Sequence, residues 1–314
     1  MRNILPIIAI AMISIACGRQ SVPVTERLHV EGTTLKNSSG ETVRLRGVSL
    51  GWHNLWPRFY NAGAVHTLSQ DWGAEVIRAA IGVELDGGYI DFPAEAVDAA
   101  FKVADAAISE GRYIILDWHS HGLRLEEAKK FFTLAANRYK GVPNVIYELF
   151  NEPVEDSWSA LKAYHCELIA LIREIDPSEP LILVGGPHWD QDIHLAADDP
   201  ITGYSNIMYT LHFYAGTHKQ YLRDRGDYAL EKGLPVFVSE CGGMNADGDG
   251  PLDYESFREW ISWLEEKGIS YVMWSLSDKL ETCSMLSPFV SSEGPWEDKY
   301  VKDWGKLVKE TLKK

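Results

Sequence analysis

Basic residues are scarce in this chain. Lys and Arg number 30 against 45 Asp and Glu in 314 residues, a formal net charge of −15. They form no basic stripe. Nucleic-acid binding needs cations clustered against phosphate, so the composition argues against it. An acidic surface keeps a protein soluble and suits a neutral substrate. Cysteine is scarce as well: the four are Cys17, Cys166, Cys241 and Cys283, with no CxxC pair. Beyond Cys17 an odd number remains, so disulfide stapling is not the design. Cys166 sits in a helical run and reads as packing. Cys241 follows Glu240 and reads as a nucleophile or, in preference, as small apolar packing behind a strand end. No low-complexity linker, Ser/Thr/Pro-rich hinge, sequence repeat or appended binding module follows residue 28.

Long apolar runs are missing too. The one candidate, Ile4 to Ile15 after Arg2, is too short to span a bilayer comfortably and reads as a signal h-region. It leads into Ser14-Ile15-Ala16-Cys17, which resembles a bacterial lipoprotein cleavage box. That resemblance implies a signal peptide over 1–16, a lipidated Cys17 and a short tether over 17–27. Gly18, rather than Asp, follows Cys17, which points to anchoring in the outer membrane of a Gram-negative cell after export across the inner one.

What the chain does have is alternation. Apolar, strand-like runs occur at 43–50, 75–82, 112–118, 144–150, 181–185, 206–212, 235–240 and 270–276. Helix-like segments lie between them at 93–110, 124–139, 157–175, 217–232 and 253–267, with a last one near 299–313. The connectors after the first and fifth runs are less clearly helical. Strands alternating with helices predict a parallel sheet, and eight repeats predict a closed (β/α)8 TIM barrel over 28–314. A hairpin of Leu28–Val30 with Thr42–Arg44, turning at Ser39-Gly40, is expected to plug the barrel floor.

Barrel enzymes carry their chemistry at the C-terminal strand ends. Two of those ends bear a glutamate: Glu152 in Asn151-Glu152-Pro153 and Glu240 in Val238-Ser239-Glu240. Cleaving an acetal between sugars needs two carboxyls, one to protonate the leaving oxygen and one to attack or activate water. The other ends offer Arg78, Asp117-Trp118-His119, His188-Trp189, His212-Phe213-Tyr214 and Trp274 followed by Ser277-Asp278-Lys279. The histidines lack HxxxH spacing, so a zinc site is not expected.

These residues carry a resemblance. The segments Val76-Ile77-Arg78-Ala79-Ala80, Ile114 to His119, Asn144 to Glu148, Asn151-Glu152-Pro153, Leu211 to His218, Val238-Ser239-Glu240 and Trp274 to Lys279 stand in order over roughly 28–312. The chain resembles glycoside hydrolase family 5 and, within it, the bacterial endo-β-1,4-glucanases. The resemblance implies a retaining hydrolase of β-glucan with no cofactor and no metal. It implies Glu152 as acid/base and Glu240 as nucleophile. Arg78 and Tyr214 would support Glu240, with Arg78 keeping it ionised, while burial and the Glu240 charge are expected to raise Glu152 and keep it protonated; Asn151 would bond the sugar 2-hydroxyl. His119 and His212 read as contacts to sugar or to Glu152, or as satisfied core residues. Trp274 and Trp189 read as flat platforms for sugar rings, and Lys279 as a hydroxyl contact beyond the cleavage point.

The chain also departs from the family pattern. After the first barrel strand it reads Ser49-Leu50-Gly51-Trp52-His53-Asn54-Leu55-Trp56, so Trp52, His53 and Trp56 are all candidates to face sugar. The loop after His119 is short, and Cys241 stands where an aromatic residue is common. The loop Asn245-Ala246-Asp247-Gly248-Asp249-Gly250 begins like a calcium loop, but Ser256 occupies the place of the closing glutamate. It reads as a polar turn near the substrate, with Ala246 in contact. The rival readings are a β-mannanase or mixed-linkage glucanase on the same barrel, and a non-hydrolytic glycan-binding surface lipoprotein. Glu152, Glu240 and Arg78 together weigh against the last.

Overall fold

The computed structural model describes residues 25–313. Cys17, the proposed signal peptide and most of the proposed tether lie outside the described residues. The barrel strands are β3 (Arg46–Leu50), β4 (Val76–Gly82), β5 (Tyr113–His119), β6 (Val145–Glu148), β7 (Ile182–Val184), β8 (Ile207–Tyr214), β9 (Val236–Gly242) and β10 (Tyr271–Leu276). Every pairing among them is parallel, and β10 returns to β3 to close the ring. The expected (β/α)8 barrel is the fold found.

These runs are continuous rather than alternating because a parallel barrel strand is covered on both faces. All seven residues of β4 and all eight of β8 are buried. The long outer helices fall where the sequence places them: α2 (Pro93–Ser109), α3 (Leu125–Arg138), α4 (Trp158–Ile175), α7 (Gln220–Glu231), α8 (Tyr254–Lys267) and α9 (Asp303–Leu312). The two weak connectors are irregular. After β3 comes the short α1 (Ala62–Thr67), which runs into a π-helical turn, Leu68–Trp72. After β7 come two short pieces, α5 (Pro187–Asp190) and α6 (Ile193–Asp198). α5 is not a regular helix: His188, Trp189 and Asp190 all have φ between 53° and 59°. Three consecutive left-handed residues with side chains are costly and persist only where their surroundings fix them.

The floor hairpin exists with a different turn. β1 (His29–Glu31) pairs with β2 (Thr34–Lys36), so the reversal is at Gly32, which has φ +61°. Ser39-Gly40 instead belongs to a second turn that brings Thr42 against Lys36. Two turn signals lay close together, and the nearer one closes the smaller loop. Leu28 and Leu35 pack with Val76, Ile115, Ile146, Met208, Phe237 and Val272 from the starts of the barrel strands, which seals the floor as expected.

Candidate active site

β-Strand register sets the site. Asp117 on β5 pairs with Glu148 on β6, and His212 on β8 pairs with Glu240 on β9. Arg78 on β4 reaches both layers from a fully buried position. Its Nε donates to Glu148 Oε2 at 2.7 Å, and its Nη2 donates to Glu148 Oε1 at 3.1 Å and to Asn151 Oδ1 at 2.7 Å. Nη2 also lies 3.0 Å from Asp117, and Nη1 donates to Glu240 Oε2 at 3.0 Å. Arg78 is therefore a hub for three carboxylates, Glu148 and Asp117 as well as Glu240. Burial opposes its charge, but those carboxylates keep the guanidinium protonated.

The two strand-end glutamates have different neighbours. Tyr214 Oη donates to Glu240 Oε1 at 2.6 Å. Burial and the Glu240 charge push the Tyr214 phenol up, so it stays a donor. Glu152 faces two imidazoles, with His212 Nδ1 at 2.9 Å from Oε1 and His121 Nε2 at 3.6 Å from Oε2. His212 Nε2 lies 2.9 Å from Ser239 Oγ. One oxygen of Glu152, one of Glu240 and one ring nitrogen of His212 lie within 4.8 Å of one another. The Arg78 guanidinium beside Glu240 repels a cation there, and His212 already directs both nitrogens at protein partners.

The protonation pattern corrects one expectation. The sequence reading has Glu152 raised and Glu240 kept low by Arg78. In the free chain the order is reversed. Burial pushes Glu152 up, but His121 and His212 outweigh it and bring Glu152 down to about 2. Burial and the charge of Glu152 push Glu240 up, and Arg78, His212 and Tyr214 only partly offset them. Burial opposes charge on His212, but Asp190, Glu148 and Glu152 together hold its imidazolium well above the usual histidine range. The proton expected on Glu152 therefore rests on His212, one hydrogen bond away.

The other expected residues scatter. His119 does not meet Glu152. Its Nδ1 lies 2.6 Å from Asp117, and its ring stacks on Trp274 at 5.2 Å between centroids. Burial and the Arg78 charge keep it neutral. One face of Trp274 is thus covered by His119. Trp52 meets His119 edge-on at 4.4 Å and stacks on His121 at 5.6 Å. His53 is buried, and its Nδ1 accepts from the Gly82 backbone N–H at 3.0 Å. Burial lowers it to about 4, so it acts as a neutral acceptor holding β4. Lys279 is ion-paired with Glu281 at 2.6 Å and touches neither strand-end glutamate. Cys241 is buried with Sγ 3.4 Å from the Val272 carbonyl, and burial keeps it a thiol.

A cleft of about 610 Å³ opens over Glu152, lined by His121, Trp189, Gln191, His212, Tyr214, Thr217, His218, Ala246 and Asp247. Trp189 is 44% exposed there, and Ala246 N–H donates to Thr217 Oγ1 at 2.9 Å. A second groove of about 650 Å³ beside α9 holds neither glutamate. Sequence reasoning missed His121, Glu148 and Asp190 as parts of the site, and placed Asp117 at a strand end without giving it a role. A signal existed for Glu148: a glutamate inside a buried strand requires a cation, and Arg78 stands in another buried strand.

The model of the family described as "Cellulase (glycosyl hydrolase family 5)" matches residues 36–280. Endoglucanase Z of Dickeya dadantii is 40% identical over 96% of this chain and 70% of its own length. An endoglucanase of Clostridium saccharobutylicum is 38% identical over 91% of the chain and 65% of its own length, so both relatives are longer. Among solved structures, one from Cytophaga hutchinsonii superposes with a TM-score of 0.89 at 41% identity, covering 91% of this chain and 94% of its own. The catalytic domain of a Thermobifida fusca endoglucanase, solved in complex with cellotetraose, superposes with a TM-score of 0.87 at 31% identity, covering 92% and 97%. Barrel, ordered site residues and these matches agree: the chain belongs to the cellulase family, glycosyl hydrolase family 5.

Proposed function

We propose that the chain is an endo-acting, retaining hydrolase of β-1,4-glucosidic bonds in cellulose and related β-glucans. The observation that carries this reading is the carboxyl pair. An oxygen of Glu152, which lines the cleft, and an oxygen of Glu240 lie within 4.8 Å of each other. So close an approach accords with the ~5–5.5 Å carboxyl spacing of a retaining pair rather than the ~6.5–9.5 Å of an inverting one. Glu240, held by Arg78 and Tyr214, is the nucleophile. Tyr214 releases its hydrogen bond as the glycosyl–Glu240 bond forms. Glu152 is the acid and then the base. It protonates the leaving oxygen, with the proton arriving from His212, and later deprotonates the water that frees the sugar. Asn151, oriented by Arg78, bonds the 2-hydroxyl.

Trp189 offers a flat apolar face to a sugar ring, and buried Trp274 only the side that His119 leaves uncovered; Trp52 and Ala246 line the approach. Both relatives' names and the bound cellotetraose of the Thermobifida structure support a β-1,4-glucan as substrate. We also infer export and lipid anchoring at Cys17, from the leader sequence alone; among the described residues no helix is long and apolar enough to cross a membrane.

A reducing-sugar assay on carboxymethylcellulose, mixed-linkage glucan and mannan tests the substrate. Carboxymethylcellulose should be cut fastest. A preference for mannan or mixed-linkage glucan would support the same-barrel rivals, and binding without turnover the lipoprotein one.

A further inference from the structure

Asp190 has entered so far only as one of the carboxyls that keep His212 charged. It is fully buried, lies in sequence between the cleft residues Trp189 and Gln191, and ends the left-handed turn that carries Trp189. Its carboxyl is held on one oxygen by the Gly186 N–H at 2.6 Å and on the other by the Thr210 hydroxyl. The second oxygen lies 3.4 Å from His212 Nε2. His212 therefore has Glu152 on its Nδ1 side and Asp190 on its Nε2 side, with Glu148 at 3.8 Å. Three costly backbone conformations in a row, closed by a buried carboxylate, suggest a placement with a purpose.

We propose that Asp190 is a positioning residue that holds the shared proton on the His212–Glu152 pair as the medium becomes alkaline. The inference rests on the acid/base reading of Glu152. A buried carboxyl resists ionisation, and burial brings Asp190 up to about 8, against the pull of His212, Thr210 and Gly186. Below that pH Asp190 is neutral. Above it a negative charge appears beside the ring, and an imidazolium is retained more strongly next to an anion. The proton Glu152 must donate then survives to higher pH. Other groups bear on His212 but cannot replace this one. Arg78 on β4 and His121 and His218 in the loops oppose a charge on the ring. Glu148 is already bound to Arg78, and Asp117 on β5 and Glu240 on β9 also face Arg78.

The test pairs two measurements on the same proteins. Histidine labelled with nitrogen-15 reports the His212 titration by NMR, with assignment by His212→Gln. The kcat/KM profile on an aryl cellobioside reports the basic limb. In Asp190→Asn the His212 midpoint should fall by roughly 1–3 pH units, the size expected for losing an adjacent opposite charge. The basic limb should follow. Thr210→Val removes a donor to Asp190, delays its ionisation and should shift both in the same direction by less; it carries the test if Asp190→Asn does not fold. An unmoved His212 midpoint in a folded variant overturns the proposal. A midpoint that falls without the basic limb leaves Asp190 in place beside His212 and overturns the acid/base reading instead.

Discussion

At the scale of single residues, two carboxyls of one chemistry are separated by their neighbours. Glu152 and Glu240 should therefore fail differently. Substitution of either by Ala should lower turnover by several orders of magnitude. On an activated aryl glycoside, azide should rescue Glu240→Ala to the inverted glycosyl azide and Glu152→Ala to the retained one. Near-native activity of either variant on polymer would show the pair to be misassigned. Arg78 gives the second prediction. Glu240 must be ionised to attack, and burial with the Glu152 charge already raises it. The acidic limb of the activity profile should thus lie above the ordinary glutamate value of about 4.3. Arg78→Lys keeps a charge but loses the fork that serves Glu148, Asn151 and Glu240 together. Turnover should drop and the acidic limb should rise further. Arg78→Ala leaves three buried carboxylates facing one another and should cost roughly 3–5 kcal/mol of stability, measurable by urea titration. An unshifted limb in Arg78→Lys would sever Arg78 from Glu240.

At the scale of elements, strands were easier to read than the contacts between them. The eight apolar runs fall on the eight barrel strands because burial on both faces leaves an unbroken signature. Irregular connectors were recognised only as weak helices, since short pieces such as Pro187–Asp190 carry no periodicity. Strand-end residues were legible because the fold puts them on one face. Protonation was not, because it depends on neighbours distant in sequence. His121 and His212 reach Glu152 from 31 and 60 residues away, and no local pattern encodes that meeting. The floor hairpin gives a prediction at this scale. Leu35 is 1% exposed at the closed end, far in the fold from either glutamate. Leu35→Ala should cost ~2–5 kcal/mol in denaturant unfolding while KM on soluble substrate stays unchanged. A large rise in KM would mean that the floor and the cleft are mechanically linked.

At the scale of the whole molecule, the first product should be the β-anomer, seen by proton NMR before mutarotation. An initial α-anomer requires an inverting path and refutes the double displacement. Lipid should enter at Cys17: labelled palmitate should mark the wild type and not Cys17→Ser, and an unmodified Cys17 removes the anchor. The sealed floor then acquires a meaning beyond stability. The chain enters the fold there, where Thr25 accepts from Asn144 and the Glu26 carbonyl accepts from Tyr113 Oη. The carboxyl pair opens at the opposite mouth of the barrel. If Cys17 carries lipid, the anchor would join the described chain on this blind side, and the cleft would lie on the other. A polymer too large to slip between protein and bilayer would then still meet the open side.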